Sequence, residues 1–306
     1  MSCAHFADEV ITRVRALGHP LCVGLDPHLE LIPRIFRRGS MDLGDPETVA
    51  AVGDFMEAAL KRLRGRVAVV KPQSALFEQL GVPGLTLLGE LIARARRLGM
   101  LVLLDAKRGD IGSTAEGYAR AYLDTEAPFA ADALTVSPYL GLTTLSPYLT
   151  RCHDLGRGLF VLVKTSNEGS GDLQDLMVGS RPLFMHLAAQ LASTSVGLMG
   201  PATGWSSLGV VVGANYPEQA IRVREALPRA LFLIPGYGAQ GGTAAEALRS
   251  FVSGPSGLEG GLVNSSRGVL YASSTAEDAA TWERAFDAAL ARAVEELGVA
   301  VARSER

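Results

Sequence analysis

The sequence predicts an α/β protein, a (β/α)8 barrel of the TIM type. Eight short runs of Val, Leu, Ile and Ala recur along 306 residues. Helical patterns separate nearly all of them, and charged or polar residues stand where most of the runs stop. Continuous apolar runs mark parallel strands covered on both faces, and eight βα units fill one barrel. The length fits one large barrel or two smaller domains. No linker divides it, so the reading is one barrel domain over residues 1–306 with an N-terminal helical extension.

The elements follow in order. A first helix ends near Leu17 and Gly18, and Leu21–Leu25 is the first strand. A doubly wound sheet would offer a G-x-G-x-x-G turn next; Leu25-Asp26-Pro27-His28 stands there instead. A helical stretch, Pro46–Leu63, leads to the strand Val67–Val70. The helix Leu85–Leu98, closed by Gly99, leads to Leu101–Leu104. The helix Ile111–Leu123 precedes the strand Ala133–Val136. Leu159–Val163, Val210–Val212, Leu231–Ile234 and Leu262–Val263 complete the eight, with helices Pro217–Leu227 and Ala276–Leu297. Residues 253–261, rich in Gly, Ser and Pro, read as a surface insertion.

Composition narrows the function. A hydrophobic content of 48% supports a packed core, and a net charge of −3 with no basic stripe argues against nucleic acid as a partner. Cys3, Cys22 and Cys152 lack metal-ligand spacing and read as reduced thiols. The N-terminal residues do not resemble a secretory leader, and no run is long enough to span a membrane. The expectation is a cytoplasmic protein without a membrane partner.

The chemistry sits at the strand ends, where barrels build their sites. The third apolar run is followed by Asp105-Ala-Lys107-Arg-Gly-Asp110. Flanking carboxylates favour a charged lysine, and a fixed ammonium can donate a proton to a developing carbanion or alkoxide. Lysine is scarce: the chain has four, Lys61, Lys71, Lys107 and Lys164, and three of them stand at strand ends. Arg serves elsewhere, and only Lys can give up a proton. Asp26 follows the first strand, Lys71-Pro72-Gln73-Ser74 the second, and Lys164-Thr165-Ser166-Asn167 the fifth. Any one of these could be a solvated loop residue. Charges at most strand ends of one face read as a site.

A second signal follows strands seven and eight. Pro235-Gly-Tyr-Gly-Ala-Gln240-Gly-Gly242 and Asn264-Ser-Ser-Arg267-Gly268 are the turns where barrels frequently bind phosphate. Glycines let backbone N–H groups approach an anion, a helix N-terminus adds positive charge, and Arg267 can grip a phosphate with two bonds. The five histidines are scattered and read as core or surface residues, and Glu78 as solvated or capping. The residues alone therefore describe a barrel enzyme for a small phosphorylated substrate, working by lysine acid–base chemistry.

Asp105-x-Lys107-x-x-Asp110-Ile111 resembles the signature of the orotidine 5′-phosphate decarboxylases. Val-Gly-Leu-Asp26-Pro, Val-Lys71-Pro-Gln-Ser, Lys-Thr-Ser166-Asn and Pro-Gly-Tyr-Gly-Ala-Gln240-Gly-Gly match the same family in order. The match covers nearly the whole chain and is similar to the longer bacterial branch. The resemblance implies loss of CO2 from orotidine 5′-monophosphate to give UMP, the last step of pyrimidine nucleotide synthesis, with no cofactor and no metal. Asp105 would lie against the substrate carboxylate and Lys107 would protonate C6. Asp110 would come from the other subunit of a homodimer with shared active sites, and Lys71 would complete the charged network. Asp26, Lys71, Asp110 and Thr114 match positions that hold ribose hydroxyls, with Ile111 among the substrate-binding residues. Ser166 matches the residue that reads the pyrimidine, and Gln240 and Arg267 match the phosphate grip. Glu168 stands where the family pattern has Pro, and Ser265-Ser266 precede Arg267 where short forms carry Gly. The short signature is shared with sugar-phosphate relatives that use Mg2+, and a non-catalytic phosphate binder is a further alternative.

Overall fold

A computed structural model describes residues 4–238 and 241–302. Its centre is a closed barrel of eight parallel strands in chain order. These are β1 (Leu21–Leu25), β2 (Val69–Pro72), β3 (Leu101–Arg108), β4 (Ala133–Val136), β5 (Gly158–Lys164), β6 (Ser206–Val212), β7 (Ala230–Ile234) and β8 (Gly261–Ser265). β8 returns to pair with β1, Leu21 opposite Val263. The long helices are α1 (Phe6–Leu17), α2 (Pro46–Leu63), α3 (Gly81–Arg97), α4 (Gly112–Leu123), α5 (Ser146–Leu155), α6 (Leu183–Gly197), α7 (Pro217–Ala226) and α8 (Ala279–Ala302).

All eight strands expected from the sequence are present, with shifted bounds. β2 runs on to Pro72 and β3 to Arg108, so Lys71, Asp105 and Lys107 lie on strands and not after them. A charge ordinarily marks where burial ends; inside a barrel, opposite charges from neighbouring strands can pair and extend it. β6 begins at Ser206, ahead of the expected Val210, because Ser206 and Ser207 are buried. α3 begins four residues early, at Gly81, and α8 runs on to Ala302.

Two apolar layers hold the barrel. The outer layer lies between strands and helices, with Phe55, Leu88, Val161, Phe232 and Phe286 among its fully buried members. The inner layer fills the barrel's N-terminal half with Cys22, Val69, Leu103, Phe160 and Leu262, and α1 closes it from below. Phe6, Val10, Ile11 and Val14 of α1 are buried there, and Phe6 meets Phe160 edge to face at 6.1 Å. Gly158 is required at the start of β5, because a Cβ would come within 2.4 Å of the Phe6 ring. Each such side chain contributes about 1.5–3 kcal/mol by leaving water.

Residues 253–261 are not the surface insertion expected from their Gly, Ser and Pro content. They form an antiparallel hairpin, Val252–Gly254 against Gly257–Glu259, docked on the same end as α1. Glu259 is 5% exposed, pairs with Arg15 through two hydrogen bonds of 2.7 and 2.8 Å, and accepts from Trp205 Nε1 at 3.0 Å. Cys22 and Cys152 are free and buried, and burial pushes both thiols up to about 12. Cys3 lies outside the described residues.

Candidate active site

The inward positions change character halfway up the barrel. Below, they are Val69, Leu101, Leu103, Ala133 and Leu231. Above, at the C-terminal ends, they become Asp26, Lys71, Asp105, Lys107 and Thr135, which line a cavity of about 680 Å3.

Asp105 is the hub. Its Oδ2 accepts from Lys71 Nζ at 2.9 Å, and its Oδ1 accepts from Lys107 Nζ at 2.6 Å and from Thr135 Oγ1 at 2.9 Å. Burial alone would push the Asp105 carboxyl up, but the two ammoniums outweigh it and hold it well below the usual carboxylate range. Burial likewise opposes the Lys71 charge, yet Asp105 and Asp26 raise its pKa. Lys71 Nζ is 3.9 Å from Asp26 Oδ1. Asp105 is thus a fixed negative charge and Lys71 a fixed positive one. Lys107 differs: its side chain is 47% exposed, so its ammonium sits on the cavity's open side.

A backbone irregularity places Lys107. Between Leu104 and Arg108, β3 has extra residues relative to β4, because Leu104 pairs with Leu134 but Arg108 with Val136. Such bulges re-aim side chains beside active sites. Lys107 takes φ +46°, a left-handed conformation unusual outside glycine. The displaced amides need partners. Thr135 Oγ1 accepts from Ala106 N at 3.1 Å and from Lys107 N at 2.9 Å. On the outer side, Arg108 pairs with Glu78 and donates to Tyr122 Oη. Glu78 is therefore an anchor for the end of β3 and not merely solvated.

Other groups complete the walls. Asp26 Oδ1 and Asn264 Oδ1 are buried and have no hydrogen-bond partner among the described residues. Both suit a ligand rich in hydroxyl donors. Ser166, Ser266 and Arg267 line the cavity, and no ion pair holds the Arg267 guanidinium among the described residues. The helices after β7 and β8 are only four residues long, Ala244–Ala247 and Arg267–Leu270. They offer less dipole to an anion than the sequence suggested.

The expected residues thus fall into groups. Asp26, Lys71, Asp105, Lys107, Ser166 and Arg267 converge on one cavity. Asp110, Ile111 and Thr114 do not line it; they sit at the exposed start of α4, and Asp110 Oδ1 accepts from Ile111 N at 2.8 Å. Gln240 lies outside the described residues. The sequence reading missed Thr135, Gln174 and His28, and it gave Gln73 and Asn264 no role beyond their motifs; all five are on the cavity wall. Thr135 could have been found: it is the one polar residue of β4, two positions from inward-facing Ala133.

The comparisons decide the family. The model of the "Orotidine 5'-phosphate decarboxylase / HUMPS family" matches residues 19–282. The chain belongs to this family. An orotidine 5′-phosphate decarboxylase of Rhodopirellula baltica is 40% identical over 301 residues, covering 95% of this chain and 98% of the relative. One from Deinococcus radiodurans is 40% identical over 272 residues, covering 87% and 89%. The structure of Leishmania donovani OMP decarboxylase superposes with a TM-score of 0.73 at 33% identity, covering 97% of this chain and 99% of that one. Ser266 packs on β1 at Gly24, where a Cβ would collide with its hydroxyl. Glu168 is exposed and pairs with no described residue.

Proposed function

We propose that this chain decarboxylates orotidine 5′-monophosphate to UMP and CO2, the final step of pyrimidine nucleotide synthesis, without metal or organic cofactor. One observation carries the proposal: the alternating row Lys107–Asp105–Lys71–Asp26 in a cavity also lined by Arg267, which pairs with no other described residue.

The chemistry follows from that row. The bond from C6 to the carboxylate breaks, its electron pair stays on C6, and CO2 leaves. A carbanion at C6 has no good electron sink in the ring, so a preorganised charge must stabilise it. Lys107 supplies that charge. Asp105 and Thr135 hold it before the reaction begins, and its Nζ delivers the proton to C6. Asp105 cannot be the donor, because two ammoniums keep it ionised. Its fixed negative charge beside the substrate carboxylate is relieved as CO2 departs. Asp26 accepts ribose hydroxyls through its orphaned oxygen, Ser166 reads the pyrimidine, and Gln240 and Arg267 take the phosphate. Phosphate binding is remote from the breaking bond, and its energy serves to close the segment from Gly236 to Gly242 over the site.

The site is shared between two copies in this reading. Asp110, Ile111 and Thr114 face away from their own cavity. They adjoin the 137–140 turn, where Ser137 N donates to Arg108 O at 2.8 Å. Ile111 (61%), Tyr139 (77%) and Leu140 (49%) are exposed there, an apolar surface suited to a two-fold contact. Each chain lends its Asp110 and Thr114 to the other's substrate. Among the described residues no helix is long and apolar enough to cross a membrane, and the free buried thiols accord with a cytoplasmic setting.

The test is a spectrophotometric assay of purified protein with orotidine 5′-monophosphate, with and without exhaustive chelation. Turnover to UMP that survives chelation is expected. Turnover that is lost on chelation and restored by Mg2+ would move the chain to the sugar-phosphate side of its family. Tight UMP binding with no turnover would make it a binding protein.

A further inference from the structure

Lys164 is the third lysine at a strand end, yet it does not line the cavity. Its side chain is fully buried, 0% exposed, at the end of β5. A buried ammonium is costly unless paired, and this one has three partners. Its Nζ lies 2.8 Å from Asp175 Oδ2, donates to Ser170 Oγ at 3.2 Å, and sits 4.2 Å from the centroid of the Tyr216 ring, within cation–π range. Ser170 Oγ donates in turn to Tyr216 Oη at 3.1 Å. One charge thereby ties β5, the loop after it and the turn before α7.

That loop is a wall of the cavity. Thr165, Ser166, Ser170, Leu173 and Gln174 all line it. Its inner surface is cross-linked: Thr165 N donates to Gln174 Oε1 at 2.9 Å, and Gln174 Nε2 donates to Thr165 Oγ1 at 2.8 Å. On the other flank Asn215 Nδ2 donates to Ser166 O at 3.1 Å. Gly213 is required there, since a Cβ would stand 2.9 Å from Ser166 Cα. Apolar burial does little to hold the loop, because Leu173 and Leu176 are 44% and 54% exposed. Its geometry therefore depends on the polar lock.

We propose that Lys164 is a positioning residue for base recognition: through Asp175, Ser170 and Tyr216 it fixes the 165–174 loop as the surface that reads the pyrimidine. The inference rests on the function proposed above and extends it from Ser166 to the device that places Ser166, Thr165 and Gln174. A positioning role makes a selective prediction. The lock touches the base end of the cavity and not Arg267, so its loss should weaken ligands that carry a base and spare those that do not.

The experiment measures Kd for UMP and for ribose 5-phosphate in wild type, Lys164→Met, Asp175→Ala and Asp175→Glu, with Tm for each and KM and kcat for orotidine 5′-monophosphate. Asp175 is the half-exposed partner, so Asp175→Ala keeps the test open even if Lys164→Met fails to fold. The expected result is a UMP Kd raised about tenfold in Lys164→Met and Asp175→Ala, the scale of one lost hydrogen bond to a charged group. KM should rise in step, the ribose 5-phosphate Kd should stay within about twofold, and Asp175→Glu should recover most of the loss. Equal weakening of both ligands alongside a fall in Tm would show a merely structural role and overturn the proposal, as would unchanged UMP binding. Wild type binding UMP no more tightly than ribose 5-phosphate would instead overturn the base-site reading, and the lock with it.

Discussion

Thr135→Val removes one hydroxyl from the centre of the site and leaves its shape. In the folded protein that oxygen donates to Asp105 Oδ1 and accepts from the amides of Ala106 and Lys107, at 2.9, 3.1 and 2.9 Å. A hydrogen bond to a charged group contributes roughly 1.5–3 kcal/mol, and an orphaned buried amide costs about 1–3 kcal/mol. The Ala106 amide is buried, whereas that of exposed Lys107 can reach water, so only the first is counted. At the lower end of each range the loss is about 2.5 kcal/mol. At about 2–4 °C per kcal/mol, Tm should fall by roughly 5–10 °C. The effect on rate has a separate origin. A left-handed, non-glycine backbone costs of order 1–3 kcal/mol, comparable to the bond that holds Lys107 there. Without Thr135 the backbone can relax, and a misplacement of about 1 Å at a reacting group can cost ~10²-fold. The expectation is kcat down about a hundredfold, measured by decarboxylation of orotidine 5′-monophosphate, with Thr135→Ser restoring most of it. A Thr135→Val enzyme that loses stability but keeps kcat within about threefold would refute the claim that Thr135 places Lys107.

Lys107→Ala should lower kcat by at least about 10²–10⁴, the contribution of a positioned acid, while UMP still binds; a loss of only tens-fold would remove Lys107 as the proton donor. Arg267→Ala should weaken a phosphorylated ligand far more than the matching nucleoside, and equal loss on both would assign Arg267 to the fold. Lys107→Ala and Asp110→Ala subunits, mixed under verified exchange, should regain roughly a quarter of wild-type activity, because half the dimers carry one intact site; no recovery would refute the shared site. Stability should follow the central charges. The lowered pKa of Asp105 stabilises the fold above the unfolded value of about 3.9, and that contribution is lost as pH falls below it. The raised pKa of Lys71 stabilises below about 10.4 and its share is lost as pH rises toward the folded value. Urea midpoints of wild type and Asp105→Asn, compared from pH 7 down to 3, should converge at the acid end; parallel curves would contradict the linkage.

The barrel was legible because its cause is local. Eight runs such as Leu101–Leu104 and Ala133–Val136 can be buried on two faces only in a parallel sheet with helices outside, and that pattern is written in consecutive residues. Lys107 and Asp105 stood out for the same reason, as charges interrupting an apolar run. Arg267 followed from its place after the last strand. Thr135 escaped notice because its importance comes from a bulge in the neighbouring strand, which turns the Ala106 and Lys107 amides toward the Thr135 hydroxyl.

The sequence by itself determined the strand order, the inward row of charges and, through its motifs, the family. Other features depended on residues far apart in the chain. Glu259 looked like part of a surface loop until Arg15 and Trp205 closed around it. Lys164 stood at a strand end like Lys71 and Lys107, yet it lies outside the cavity, beside a register shift between β5 and β6, and is set against Asp175, Ser170 and Tyr216. Periodicity reports which face a residue takes within its own element. Which charge meets which partner is decided by strand register and loop path, and those are properties of the closed barrel, fixed by long-range packing.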